Sequence, residues 1–176
     1  MKDSPLAIAF KEWAVVCQAL AEGKQSVLLR KGGIAEENGE FRPDHSRFWL
    51  YPTFFHEHRT GIRPQFLPLL EAAEASRPPS GIVRLTHFIE VKEVLHFENL
   101  DDNLGMLPTH IFTADVVRQR FLYRTPGLFL LNVNVFAVPR PIDIVERPDY
   151  AGCKTWVTLD SAPSTEGAQR VLSING

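Results

Sequence analysis

Two basic groups have the residue types and spacing that anion chemistry needs. In Arg30-Lys31-Gly32-Gly33, two cations stand beside two glycines. A guanidinium and the exposed N–H groups of a glycine turn can hold phosphate; the competing reading is an ordinary hairpin turn with solvated charges. Arg118, Arg120 and Arg124 form the second group, with Phe121 and Tyr123 among them. On a helix Arg120 and Arg124 share a face, while Arg118 lies about 200° from Arg120. Two cations beside a tyrosine can track a nucleic-acid backbone and stack a base. Arginines that neutralise a helix C-terminus are the alternative.

Other constellations are weaker. His56-Glu57-His58 alternates two imidazoles on an extended segment, with Asp44 and His45 upstream. No second tight ligand pair and neither HExxH nor CxxC accompanies them, so hydrogen-bonding histidines at a strand end are expected and no metal site. Glu90-Val91-Lys92 resembles the E-x-K element of restriction-type nucleases, in which a strand carboxylate and an upstream aspartate hold a divalent metal and the lysine assists the attacking water. Asp44 is the upstream partner in that reading; plain charge alternation on an exposed strand is the other. His87, His96 and His110 are isolated and read as structural. Cys153, between Gly152 and Lys154, reads as an inert cysteine in a tight turn. No nucleophile elbow, P-loop or dinucleotide fingerprint is present, so no cofactor is expected.

The rest of the chain bounds what these groups can do. A net charge of −2 in 176 residues, 23% of them charged, gives no global attraction to a polyanion, so any such site must be a local patch. The 44% hydrophobic fraction supplies one core, and the expectation is a single globular domain over residues 1–160 with a frayed tail over 161–176. Two cysteines fit a reducing compartment, and the opening MKDSPLAIAFKEW is too short and too charged for a signal peptide or a membrane span. The protein is expected in the cytoplasm, without a membrane partner.

The positioning elements follow from periodicity and punctuation. Ser4 as N-cap, Pro5 at the first position, and Leu6, Phe10, Trp13, Cys17 and Leu20 on one stripe predict a helix over 5–20, stopped by Gly23. Residues 26–30 and 48–51 predict strands, and 35–46 a surface loop. A helix is expected over 64–75, with Pro78-Pro79-Ser80-Gly81 marking its exit. A long strand follows over 82–97, with a bulge near Phe88-Ile89 where the alternation slips. Thr113 is placed to cap a helix running through Tyr123. Strands over 128–138, 141–144 and 155–159 complete the set.

Four segments together resemble a bacterial domain-of-unknown-function family, number eighteen-oh-two: Phe10-Lys11-Glu12-Trp13, Leu28-Leu29-Arg30-Lys31-Gly32-Gly33-Ile34, Tyr51-Pro52-Thr53-Phe54-Phe55-His56-Glu57 and Tyr150-Ala151-Gly152-Cys153-Lys154-Thr155-Trp156. That resemblance implies no established activity, only a loose association with restriction-type systems. A second resemblance is architectural. A helix, a glycine and a basic strand ending in arginine is how PUA-like and ASCH domains begin, and Gly23 and Arg30 keep that spacing. Lys24 stands one residue early and Leu28 takes the place of the expected glutamate, so the resemblance implies the barrel and not hydrolase chemistry. The strand over 128–138, followed by Pro139-Arg140-Pro141, is likewise similar to the closing strands of such barrels.

The expectation is thus an α+β domain on a mixed or antiparallel sheet, with a PUA-like β-barrel flanked by helices as its implied form. The expected function is non-catalytic binding of RNA, DNA or a modified base, linked to defence or restriction. Arg30, Lys31, Arg120 and Arg124 would meet phosphates at the Gly32-Gly33 turn and the arginine helix, and Trp49 or Tyr123 would stack a base. A metal-dependent nuclease using Asp44, Glu90 and Lys92 is the first alternative. The second is a partner-binding module that takes no nucleic acid.

Overall fold

Ile8–Trp13 forms a strand (β1), not the opening turns of a helix, in the computed structural model, which describes residues 5–31, 45–54, 59–100, 110–152 and 154–174. The helix α1 (Ala14–Ala21) begins only after it. The stripe at four-residue spacing is real but does not decide the outcome. Ala9 and Phe10 are adjacent and both fully buried, in separate cores on opposite faces, which a strand achieves and a one-faced helix does not. Partners on both sides complete the backbone hydrogen bonding of β1 and override the helical pattern. Gly23 ends α1 at φ +66, as expected, and a Cβ there would lie 2.2 Å from the Leu172 carbonyl oxygen.

The strands β2 (Val27–Arg30), β3 (Arg47–Thr53), β4 (Ile82–Phe97), β5 (Leu128–Val145), β6 (Trp156–Thr158) and β7 (Gln169–Arg170) join β1 in one mixed sheet of order β2-β5-β4-β3-β1-β6, with β7 on β5. Among the described residues, only β1 and β3 run parallel. Among the described residues no pairing joins β2 to β6, so the sheet stays open where a closed barrel is the implied form. Period-two alternation sorts the two cores. Phe10, Phe48, Leu50 and Ile89 enter the one that α1, α2 (Leu67–Ala75) and α3 (Ala114–Leu122) help to build; Ala9, Trp49, Tyr51 and Phe88 enter the other. Thr113 caps α3 by accepting the Val116 N–H, as its position predicts.

The bulge expected near Phe88-Ile89 is replaced by two flanking ones, between Leu85 and His87 and between Val91 and Glu93. At the first, residues 138–141 of β5 lie opposite Thr86 alone, and they include Pro139 and Pro141, which have no N–H to give a ladder. At the second, Lys92 is the extra residue. The tail is pinned rather than loose in its middle: β7 pairs with Phe136 and Ala137, Val171 N–H bonds the Val135 carbonyl at 2.9 Å, and Ile174 N–H bonds that of Gly23 at 3.0 Å. A small, polar segment predicts fraying only if no strand edge is open to it, and β5 offers one beyond its pairing with β2.

Candidate functional site

A cleft of about 1310 Å³ opens where β1, β2 and β3 end. Among its lining residues, Glu12 is only 3% exposed. Its Oε1 accepts the Trp13 N–H at 2.8 Å, at the start of α1, where the helix dipole favours a carboxylate. Arg30, the last residue of β2, lays its guanidinium over the Phe10 ring at 4.1 Å. Its Nη2 donates to the Lys11 carbonyl at 2.7 Å and lies 3.7 Å from Glu12 Oε2, while its buried Nε has no acceptor among the described residues. Arg120, in the last turn of α3, stacks on Phe112 at 4.2 Å and on Trp13 at 4.8 Å, and its Nη1 donates to the Leu29 carbonyl at 3.3 Å. Burial lowers the Arg120 pKa, the Glu12 charge opposes that shift and the Arg30 charge adds to it, so the three groups share one electrostatic neighbourhood. Arg30 thus leans on the Glu12 carboxylate directly, and Arg120, stacked on Trp13 beside it, feels its charge.

The remaining lining is also basic. Lys11, Arg77, Arg84, Arg147 and Lys154 join Arg30 and Arg120, against Glu12 and Glu146 only among the described residues, so their charges sum to a positive lining in a chain of net charge −2. Aspartates outside the cleft offset part of it: Asp143 holds Arg84 in two 2.7 Å bonds, and Asp149 and Asp160 meet Arg147. Lys11 Nζ donates to the carbonyls of Tyr150 and Gly152 and lies over the Tyr51 ring. Tyr51 donates its hydroxyl to Glu146 at 2.8 Å, and burial raises its pKa. His87, its pKa pushed down to about 4 by burial, stands as a neutral imidazole 2.8 Å from Thr86 Oγ1.

Of the described residues singled out from the sequence, Arg30 and Arg120 are brought together and the others are not. Lys31 Nζ donates to the carbonyls of Phe121, Thr125 and Gly127, so all three of its donors close the turn after α3 and none is left for phosphate. Burial holds its ammonium below the usual lysine range. Arg124, at φ +62, and Tyr123, 57% exposed, stack on each other at the surface, apart from the cleft lining. Trp49 is fully buried, with its indole N–H on the Leu6 carbonyl at 2.8 Å, so it is a core residue and cannot stack a base. Gly32, Gly33, Asp44 and His56-Glu57-His58 lie outside the described residues, as does Cys153. Glu90 pairs with Arg47 at 3.3 Å, and Lys92, at its bulge, lines a separate polar pocket of about 190 Å³ with Asn132, Asn134 and Arg170. His45 packs on Trp156 and His96 stacks on Phe129, while His110 accepts the Phe112 N–H at 3.2 Å. Among the described residues no three His, Cys, Asp or Glu side chains could hold a metal ion, and no helix is long and apolar enough to cross a membrane.

Glu12, Trp13, Lys11 and Lys154 are the site residues that motif reasoning passed over. A signal for them was present. Each of the four segments that carry the family resemblance sends residues into this one cleft: Lys11 to Trp13, Arg30, Tyr51 to Phe54, and Ala151, Gly152, Lys154 and Thr155.

Comparison with solved structures gives an ASCH protein from Zymomonas mobilis at TM-score 0.50 and 14% identity, covering 86% of each chain. A single-residue variant of that protein aligns at TM-score 0.49 and 12% identity over 89% of this chain and 90% of its own. The likeness shows a shared α+β fold of the ASCH kind. No curated protein matches the chain. The family model described as "Domain of unknown function (DUF1802)" matches residues 9–175, nearly the whole length, and the chain belongs to that family.

Proposed function

We propose that this protein is a non-catalytic nucleic-acid-binding module that takes RNA, DNA or a modified base in the cleft at the ends of β1, β2 and β3. One observation carries the reading: Arg30 and Arg120, 90 residues apart, line one basic cleft, Arg30 against the buried Glu12 carboxylate and Arg120 stacked on the adjacent Trp13, in a chain of net charge −2. Phosphate contacts of this kind fix a strand in place. The half-buried indole of Trp13 and ring of Phe54 line the same cleft, where aromatic faces can stack a base. The ASCH-like fold adds weight, because PUA-like and ASCH domains bind RNA or modified bases. The proposal places the module in the bacterial cytoplasm, in a defence or restriction context. The nuclease alternative draws no support from Glu90, whose carboxylate is engaged by Arg47.

Salt titration with short single- and double-stranded RNA and DNA tests the proposal. Affinity is expected to be modest and to fall as salt rises. Arg30→Ala should lower the slope of log affinity against log salt by roughly one unit for its lost phosphate contact. Absence of binding at low ionic strength would leave the partner-binding module as the surviving reading.

A further inference from the structure

We propose that the Glu12–Arg30–Arg120 cluster receives a terminal phosphomonoester, on a free nucleotide or at the end of a nucleic-acid strand, rather than a phosphodiester within a strand. The inference rests on the nucleic-acid reading above and narrows its ligand. Each guanidinium carries five N–H donors in a rigid fork. Arg30 bonds one carbonyl and leans on Glu12 at 3.7 Å, and Arg120 bonds one carbonyl, so most of their ten donors have no acceptor among the described residues; at Arg30 Nε, which is fully buried, that is costly. Phe10, Phe112 and Trp13 cover the guanidinium faces, so further acceptors must come to their edges. The cluster also holds two cations against one carboxylate, an imbalance that a bound anion removes.

The kind of anion follows from oxygen count. A phosphodiester has two unesterified oxygens, which satisfy one bidentate fork. Two forks on one phosphorus need three, and a terminal phosphate supplies three strong acceptor oxygens with a charge of about −1.5 to −2 at neutral pH. Its second ionisation, at a pKa of about 6, makes recognition pH-dependent in a way that a diester is not.

Binding to the intact protein should be measured for one ribo-oligonucleotide with a 5′-phosphate, with a 3′-phosphate and with hydroxyl ends, beside adenosine 5′-monophosphate, adenosine and inorganic phosphate. One phosphate-ended strand is expected to bind about tenfold or more tighter than the hydroxyl-ended one. Inorganic phosphate should compete, and the preference should shrink below about pH 6. A strong response to the mononucleotide over adenosine would identify a free nucleotide as sufficient; a response confined to the strands would identify the strand end. Arg30→Lys and Arg120→Lys keep the charge and lose the fork, so each should abolish the end preference while much of the salt-dependent affinity remains. Equal binding of all three strands would overturn the inference and leave nucleic-acid binding standing. No binding by any strand or by the mononucleotide would remove both.

Discussion

Arg30 and Lys31 are consecutive cations at the end of one strand, and their fates differ. Arg30 turns into the cleft, takes one carbonyl and keeps its fork beside Glu12. Lys31 turns to the other side and gives all its donors to three carbonyls, one in the last turn of α3 and two after it. Arg120 and Arg124 repeat the contrast on α3: the first is stacked between aromatic faces in the cleft, the second lies on an exposed tyrosine. A basic run in sequence is therefore not a patch in space. Each cation goes where unpaired carbonyls or carboxylates call for it, and the chain divides them between maintaining a turn and facing a ligand.

That division can be broken or sharpened by substitution. The largest effect concerns the ring wrongly expected at the interface: Trp49→Ala should lower unfolding free energy by roughly 3–5 kcal/mol in a urea titration, because it empties the second core. Lys31→Ala should cost about 2 kcal/mol by the same measurement, since three charge-assisted bonds to carbonyls are lost, yet leave the salt slope of nucleic-acid binding unchanged in the folded protein. If that slope falls as it does for Arg30→Ala, the contrast between the two neighbours is wrong.

Acid tests the arginine side. His110, with its pKa held down to about 4 by burial and by the Arg63 and Arg120 charges, is neutral in the native state. An unfolded histidine titrates near 6.5, so the unfolded chain binds more protons between those values. Stability should be complete above pH 6.5 and decline as pH falls toward 4. His110→Gln should flatten that decline in pH-dependent melting, though His87 contributes a second, similar loss. The smallest effect belongs to Arg124→Ala and Tyr123→Ala, each within about 0.5 kcal/mol of the parent, as for other exposed surface positions.

Much of the fold was legible because its signals are local. Thr113 as a cap, Gly23 as a stop and the bounds of β4 follow from side-chain chemistry within a few residues. What misled was β1, where a helical stripe coexists with strand alternation and only the partners Leu50 and Trp156 decide between them. The site was half legible. Arginines announce anion chemistry by type, but Glu12 is an ordinary acid until β1 ends at α1 and buries it. No local pattern distinguishes Lys31 from Arg30, because the carbonyls that capture Lys31 lie about 90 residues further along the chain.

The docked segment after Ala168 has a consequence for handling the protein. β7 and the bond from Val171 occupy the side of β5 that β2 leaves free, and Ile174 ties the segment to Gly23. Removing those residues would bare the backbone donors and acceptors of Val135-Phe136-Ala137, a β-prone edge with no charge along it. Such an edge is a template for pairing with another copy. A shortened chain should therefore keep its cleft and lose its solubility, and truncations made to trim an apparently loose end should be the ones that precipitate.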